Sequence, residues 1–139
     1  MISYNSENTF QLNNASQVST WLETVITSEE RKLGEINYIF CDDDYLLKLN
    51  IEYLQHDTLT DIISFDYTVG KILQGDIYIS TERVSDNAKD FKVSFEDELN
   101  RVMVHGILHY CGYKDKTDAD AKLMREKENH YLQLFANVH

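Results

Sequence analysis

Apolar residues at Val18, Trp21, Leu22, Val25 and Ile26 recur every three or four positions, the spacing that lines one side of an α-helix. Asn14 or Ser16 can cap the start of that helix, and Gly34 can stop it. Residues 36 to 41, rich in isoleucine and aromatic side chains, predict a strand. Asp42, Asp43 and Asp44 follow, where carboxylates can accept hydrogen bonds from the free N–H groups of a first helical turn and suit its dipole. A second helix carrying Leu46, Leu47, Leu49 and Tyr53 is therefore expected. Residues 62 to 67 and 72 to 80 read as two more strands, and the turn between them at 68 to 71 pairs them as a hairpin.

Ser94, with Glu96 and Asp97 behind it, opens a helix through Leu99, Val102, Met103, Val104, Ile107, Leu108 and Cys111. Its apolar residues surround the axis, so it belongs in the middle of the molecule. Gly112 suits the left-handed cap that ends a helix, and Thr117 with Asp120 resembles a capping box for a final helix. The pattern predicts one α+β domain over residues 1–139, with a small mixed sheet of about four strands packed against about five helices.

Length and composition agree with this picture. A chain of 139 residues that is 42% hydrophobic can bury one core, and 27% charged with 12% aromatic residues is a globular balance. No run of eighteen apolar residues occurs, and the first residues offer neither a basic nor an apolar leader segment. A cytoplasmic protein with no membrane partner is expected. Cys41 and Cys111 are far apart and form no C-x-x-C pair, so reduced thiols are the default.

The net charge of -11 disfavours nucleic acid and anionic lipid if taken globally, but the charge is unevenly spread. Residues 101 to 139 carry six basic and five acidic side chains, against seven and nineteen in residues 1 to 100. Lys114, Lys116, Lys122, Arg125 and Lys127 lie close together. They form either a solvated helix face with its approach or a local patch facing phosphate.

The chemistry concentrates just before them. His105 and His109 are one helical turn apart, so both imidazoles fall on one stripe and one cation can meet both. Two imidazoles buried without partners would cost about 1–3 kcal/mol each, and a metal would satisfy them. Gly112 lets the backbone reverse, which can bring Asp115 back toward the pair. This H, H, D spacing with an intervening glycine matches the metal-site helix of metzincin-type zinc proteases, in which three protein ligands leave a fourth position for water. Those proteases need a glutamate after the first histidine as general base, and here Gly106 stands there. Proteolysis is thereby disfavoured, and no catalytic group is expected beyond a metal-bound water.

The string HGILHYCGY at 105 to 113, followed by a helix with Met124 and Glu126, resembles the signature of the YbeY endoribonucleases. Leu49-Asn50 with Tyr53, then residues 60 to 65 and 75 to 80, are similar to that family's other blocks in order and spacing. The resemblance covers roughly residues 35 to 130. It implies a single-domain α+β fold with one zinc-like metal per chain, held by His105, His109 and Asp115. It also implies cleavage of single-stranded RNA, work at the 3′ end of small-subunit rRNA, and a part in ribosome quality control. The partners would be rRNA and the ribosomal small subunit or its assembly proteins, with no DNA.

Two positions depart from the family pattern. Asp115 stands where the signature has a third histidine, and Lys114 where an aspartate is common. Carboxylate is an acceptable zinc ligand, yet it lowers the site's positive charge and its preference for zinc over harder divalent cations such as manganese. Leu54 stands where the resemblance implies a phosphate-engaging arginine, and leucine cannot neutralise a phosphate. Lys114 and Lys116 are then the candidate substrate-binding cations, with His56 and Arg125 behind them. Asp61, Ser64 and Asp76 fit either the site or ordinary turn and sheet bonding. Tyr110 and Tyr113 fit either base stacking or the core. His130 and His139 receive no role. A different class remains open at this stage: an assembly factor with a structural metal and little nuclease activity, which the acidity of residues 1 to 100 suits.

Overall fold

The computed structural model describes residues 1–55 and 60–138. The elements run β1 (Ile2–Ser6), α1 (Ala15–Ser28), β2 (Lys32–Cys41), α2 (Asp43–Leu54), β3 (Ile62–Asp66), β4 (Ile72–Ser80), α3 (Thr81–Phe91), α4 (Phe95–Tyr110) and α5 (Asp118–Val138). His56 and His139 lie outside the described residues. The strands form one mixed sheet in the order β1-β2-β4-β3, with β1 and β4 parallel to β2 and the β3–β4 pair antiparallel, as the hairpin reading required.

Alternation along the two inner strands gives the sheet two buried faces. Ile36, Tyr38 and Phe40 of β2 and Leu73, Ile77 and Ile79 of β4 point into the main core with α1, α4 and α5. Cys41, Ile63 and Tyr78 pack on the other face with Leu46 and Leu49 of α2. The predicted stripe of α1 is buried throughout. Helix α4 is buried on nearly every side, from Leu99 to Tyr110, and Tyr38 Oη donates to the Met103 carbonyl at 2.8 Å.

Three readings needed correction. Gly34 does not stop α1, which ends at Ser28; it lies inside β2, where a Cβ would come within 2.5 Å of Gln74 Cγ and 2.8 Å of the Leu73 carbonyl. Its task is close approach between strands. Neither Asn14 nor Asp42 makes a side-chain cap bond. At α2 the Asp43 N–H donates instead to Glu82 of α3 at 2.9 Å, while the Asp43 carboxylate accepts from Ser80 at 2.6 Å and Arg83 at 2.9 Å. Asp43 thus joins two helices. Finally, β1 and α3 were not foreseen, because one is short and polar and the other buries only Val84 and Ala88.

Behind the end of α4, Glu29 ties α1 to the chain reversal and to α5. Its carboxylate accepts from Tyr113 Oη at 2.6 Å and from Tyr131 Oη, with Lys127 Nζ at 3.4 Å. Burial pushes its pKa up, but these bonds and the lysine outweigh burial and hold it below the ordinary 4.5. A lowered folded pKa stabilises the protein fully above the unfolded value and loses that contribution as pH falls through the folded value. Glu29→Gln is expected to cost about 1–2 kcal/mol at neutral pH. In urea unfolding its gap to wild type should close in acid; a gap independent of pH would show that shape rather than charge matters there.

Candidate metal centre

The end of α4 builds the site. Gly112 takes φ 102°, Gly112 N–H donates to the His109 carbonyl at 3.0 Å, and Tyr113 N–H donates to the Leu108 carbonyl at 3.1 Å. These two bonds are the Schellman reversal, which the sequence places through its glycine. The reversal carries Asp115 back over the last turn. His105 Nε2 and His109 Nε2 lie 2.9 Å apart, and Asp115 Oδ2 is 3.3 Å from each.

The outer partners of the two imidazoles fix which nitrogen faces the triangle. The Tyr113 carbonyl can only accept, so His109 Nδ1, 2.9 Å away, donates to it, which leaves Nε2 as the inward-facing nitrogen. His105 Nδ1 lies 2.6 Å from Glu128 Oε2, and Glu128, although buried, is held below the ordinary carboxylate pKa by His105 and Arg101. His105 Nδ1 thus faces Glu128 on the outside, and its Nε2 faces inward toward His109 and Asp115. For His105, burial lowers the pKa, but Glu128, Asp115 and Asp61 more than reverse that.

Two imidazole nitrogens and a carboxylate oxygen thus face one point, close enough for one cation to meet all three. Tetrahedral coordination with bonds of about 2.0–2.1 Å places ligand atoms about 3.3–3.4 Å from one another. The two edges to Asp115, 3.3 Å each, match that size, and the edge between the imidazoles, 2.9 Å, is shorter than it. The donor set, a carboxylate and two imidazoles that are each held on the far side, suits a divalent metal ion.

The triangle opens onto a cavity of about 540 Å³ between α3, α4, α5 and the start of β3. Asp61 and Ser64 line it, as one of the two readings of them had it. Burial raises the Asp61 pKa, with His105 opposing. Asp76 instead accepts from Asn37 at 3.0 Å inside the sheet. Tyr110 is buried with its Oη donating to the Phe65 carbonyl at 3.0 Å, and Tyr113 is engaged by Glu29. Both serve packing. Gly106 faces Ile77 and Ile62, where a Cβ would lie 3.0 and 3.3 Å from their Cδ1 atoms, so the position after the first histidine points at the sheet and not at the triangle.

Comparison with known proteins decides the family. The family model described as Endoribonuclease YbeY matches residues 2–136. The chain belongs to the endoribonuclease YbeY family. It is 66% identical over 135 residues to the Endoribonuclease YbeY of Flavobacterium johnsoniae, covering 97% of both chains. To that of Flavobacterium psychrophilum it is 62% identical, over 97% of this chain and 96% of the relative. A solution structure of a Thermotoga maritima protein superposes with TM-score 0.70 at 29% identity, covering 97% of this chain and 89% of the other.

Within this YbeY fold, sequence reasoning missed the residues that support His105. Glu128, with its side chain 4% exposed, bonds His105 and also takes Arg101 NH1 at 3.0 Å. Glu98, equally buried, lies 3.9 Å from Arg101 Nε. A signal was available: Met124, Glu128, Tyr131 and Phe135 form the buried stripe of α5, so Glu128 is a carboxylate in an apolar register. Lys114 and Lys116 are exposed beside Asp115 and do not line the cavity, whereas Arg101 and Arg125 do. Leu54 is exposed at the end of α2, outside the cavity lining.

Proposed function

We propose that the protein is a single-domain, metal-dependent endoribonuclease that cleaves single-stranded RNA, and that its metal is one zinc ion held by His105, His109 and Asp115. The same reading places its work at the 3′ end of small-subunit rRNA and in ribosome quality control, in the cytoplasm, with the small subunit or its assembly proteins as partners. Membership of the YbeY family supports the reaction, and the relatives' name carries the substrate class. The observation that supports the metal is the convergence of His105 Nε2, His109 Nε2 and Asp115 Oδ2 on one point.

A divalent ion held there would act as a Lewis acid toward the phosphodiester and lower the pKa of water. The chain's own residues do the rest. Glu128 fixes His105 by its Nδ1–H, and the Tyr113 carbonyl fixes His109 in the same way. Hydrolysis joins a water oxygen to phosphorus and breaks the bond to the leaving sugar oxygen, which must receive a proton. Asp61, facing the cavity with a raised pKa, can hold such a proton on its carboxyl. Lys114 and Lys116 beside Asp115 add positive potential where an RNA backbone would approach.

The test begins with elemental analysis of the freshly purified protein. It should carry close to one metal per chain, and the carboxylate ligand leaves room for zinc or manganese. Chelation should then abolish cleavage of a single-stranded RNA, and re-addition of the resident metal should restore it. Cutting that is indifferent to chelation would defeat this reading.

A further inference from the structure

The cavity extends past the metal triangle, and its far wall is made of residues of a different kind. Phe91, the last residue of α3, lines it with its surface 58% exposed. Asn87, one turn earlier, lines the same wall. Val102 and Met124 are buried beneath, so this end has an apolar floor. Single exposed apolar residues are ordinary on protein surfaces, but this ring stands on the wall of a cavity that also holds charge.

Two guanidinium groups enter that cavity from neighbouring helices, and the structure treats them differently. Arg101 is 22% exposed and is held between Glu128 at 3.0 Å and Glu98 at 3.9 Å. Its charge is used in keeping those carboxylates in place. Arg125 is 54% exposed, and its NH1 lies 3.5 Å from Glu128 Oε1, an oxygen that Arg101 already satisfies. An exposed pair at that separation contributes little, so no partner among the described residues holds Arg125 firmly against a better acceptor. A phosphate is such an acceptor, because guanidinium binds it through charge-assisted bonds.

We infer that Arg125 and Phe91 form a nucleotide subsite beside the metal centre, in which Arg125 holds a backbone phosphate and Phe91 stacks a base of the same single strand. The inference rests on the endoribonuclease reading and extends it by naming what grips the RNA. A phosphate at Arg125 and a base on Phe91 would lie in one cavity with His105 and His109. Stacking on a ring face tolerates any base, so the subsite selects for unpaired RNA rather than for sequence.

The test is equilibrium binding of a short, fluorescein-labelled 2′-O-methyl RNA, which is single-stranded and poorly cleaved, to the metal-loaded full chain at several salt concentrations. Arg125→Gln should weaken binding about five- to ten-fold and flatten the salt dependence by about 0.7 in log–log slope, the loss of one phosphate contact on a single strand. Phe91→Ala should weaken binding about ten-fold and leave that slope unchanged, while Phe91→Tyr should bind as wild type. Lys114→Gln and Lys116→Gln should each have a smaller effect than Arg125→Gln. Both side chains are exposed, so the variants should melt as wild type does and keep their metal. If wild type binds the RNA and both Arg125→Gln and Phe91→Ala bind it equally well, the subsite is overturned while the nuclease reading stands. A wild type that binds no RNA overturns both.

Discussion

His109→Ala is expected to leave a folded protein that no longer retains its metal and cuts RNA only at background level. Removing the imidazole leaves His105 Nε2 and Asp115 Oδ2, two of the three proposed ligand atoms that stood 2.9 to 3.3 Å apart. It also takes away the donor that the Tyr113 carbonyl accepts, and so loosens the reversal that brings Asp115 back. Loss of a group that merely orients a ligand typically costs 10- to 100-fold in metal affinity, so loss of the ligand itself should cost at least about a hundred-fold. Glu128→Gln supplies the comparison. It keeps all three ligand atoms and should fall within that 10- to 100-fold range. Thermal unfolding gives an independent sign. Without metal, His109→Ala should melt somewhat lower than wild type, because the Tyr113 carbonyl loses its donor. With metal, wild type should rise by mass action and the variant should not. Full metal content in His109→Ala would show that the triangle is not the binding site.

The ease of reading the sequence followed the distance over which each interaction acts. The His105, His109 and Asp115 trio is local: one helical turn supplies the first pair and one glycine supplies the return, so spacing alone exposed it. The stripes of α1 and α4 were legible for the same reason. Glu128 sits twenty-three residues beyond His105 on another helix, and only the packing of α5 on α4 brings them together. Even so, Glu98 and Glu128 each carry a charge at a register position where their helix is otherwise buried. That mismatch is visible without coordinates and is worth seeking in any helix that precedes or follows a paired-histidine motif. Gly34 misled because glycine serves both turns and close strand approach, and a single sequence does not separate the two uses. The acidic run at 42 to 44 does open α2, with Asp43 and Asp44 in its first turn, but the expected side-chain cap bond is missing for a related reason. Local propensity favoured a cap, but Glu82 and Arg83 of α3, some forty residues away, bound the N–H and the carboxylate first.

Gly75→Ala is the substitution expected to damage the fold most, with a loss of roughly 2–4 kcal/mol, at or above the usual range for overpacking. Gly75 lies in β4, paired with Asp66 of β3 on one side and Ile36 of β2 on the other. A Cβ there would collide with the Tyr110 hydroxyl and the Phe65 carbonyl and would lie 2.7 Å from Tyr110 Cζ. The carbonyl is backbone, so it can yield only if β3 moves away from β4. The ring can yield only by giving up its bond to that same carbonyl, 3.0 Å long, at the end of α4. Either movement disturbs the two elements that bring Ser64 and the histidines to one cavity, so the variant should lose metal affinity along with stability. Tyr110→Phe separates the causes. It removes the hydroxyl from the collision but leaves Cζ and the carbonyl, so Gly75→Ala with Tyr110→Phe should recover only part of the loss. Urea midpoints of the two single variants and the double variant measure this coupling directly. Full recovery would show that the hydroxyl alone excluded a side chain, and a Gly75→Ala protein as stable as wild type would show that β3 accommodates it without strain.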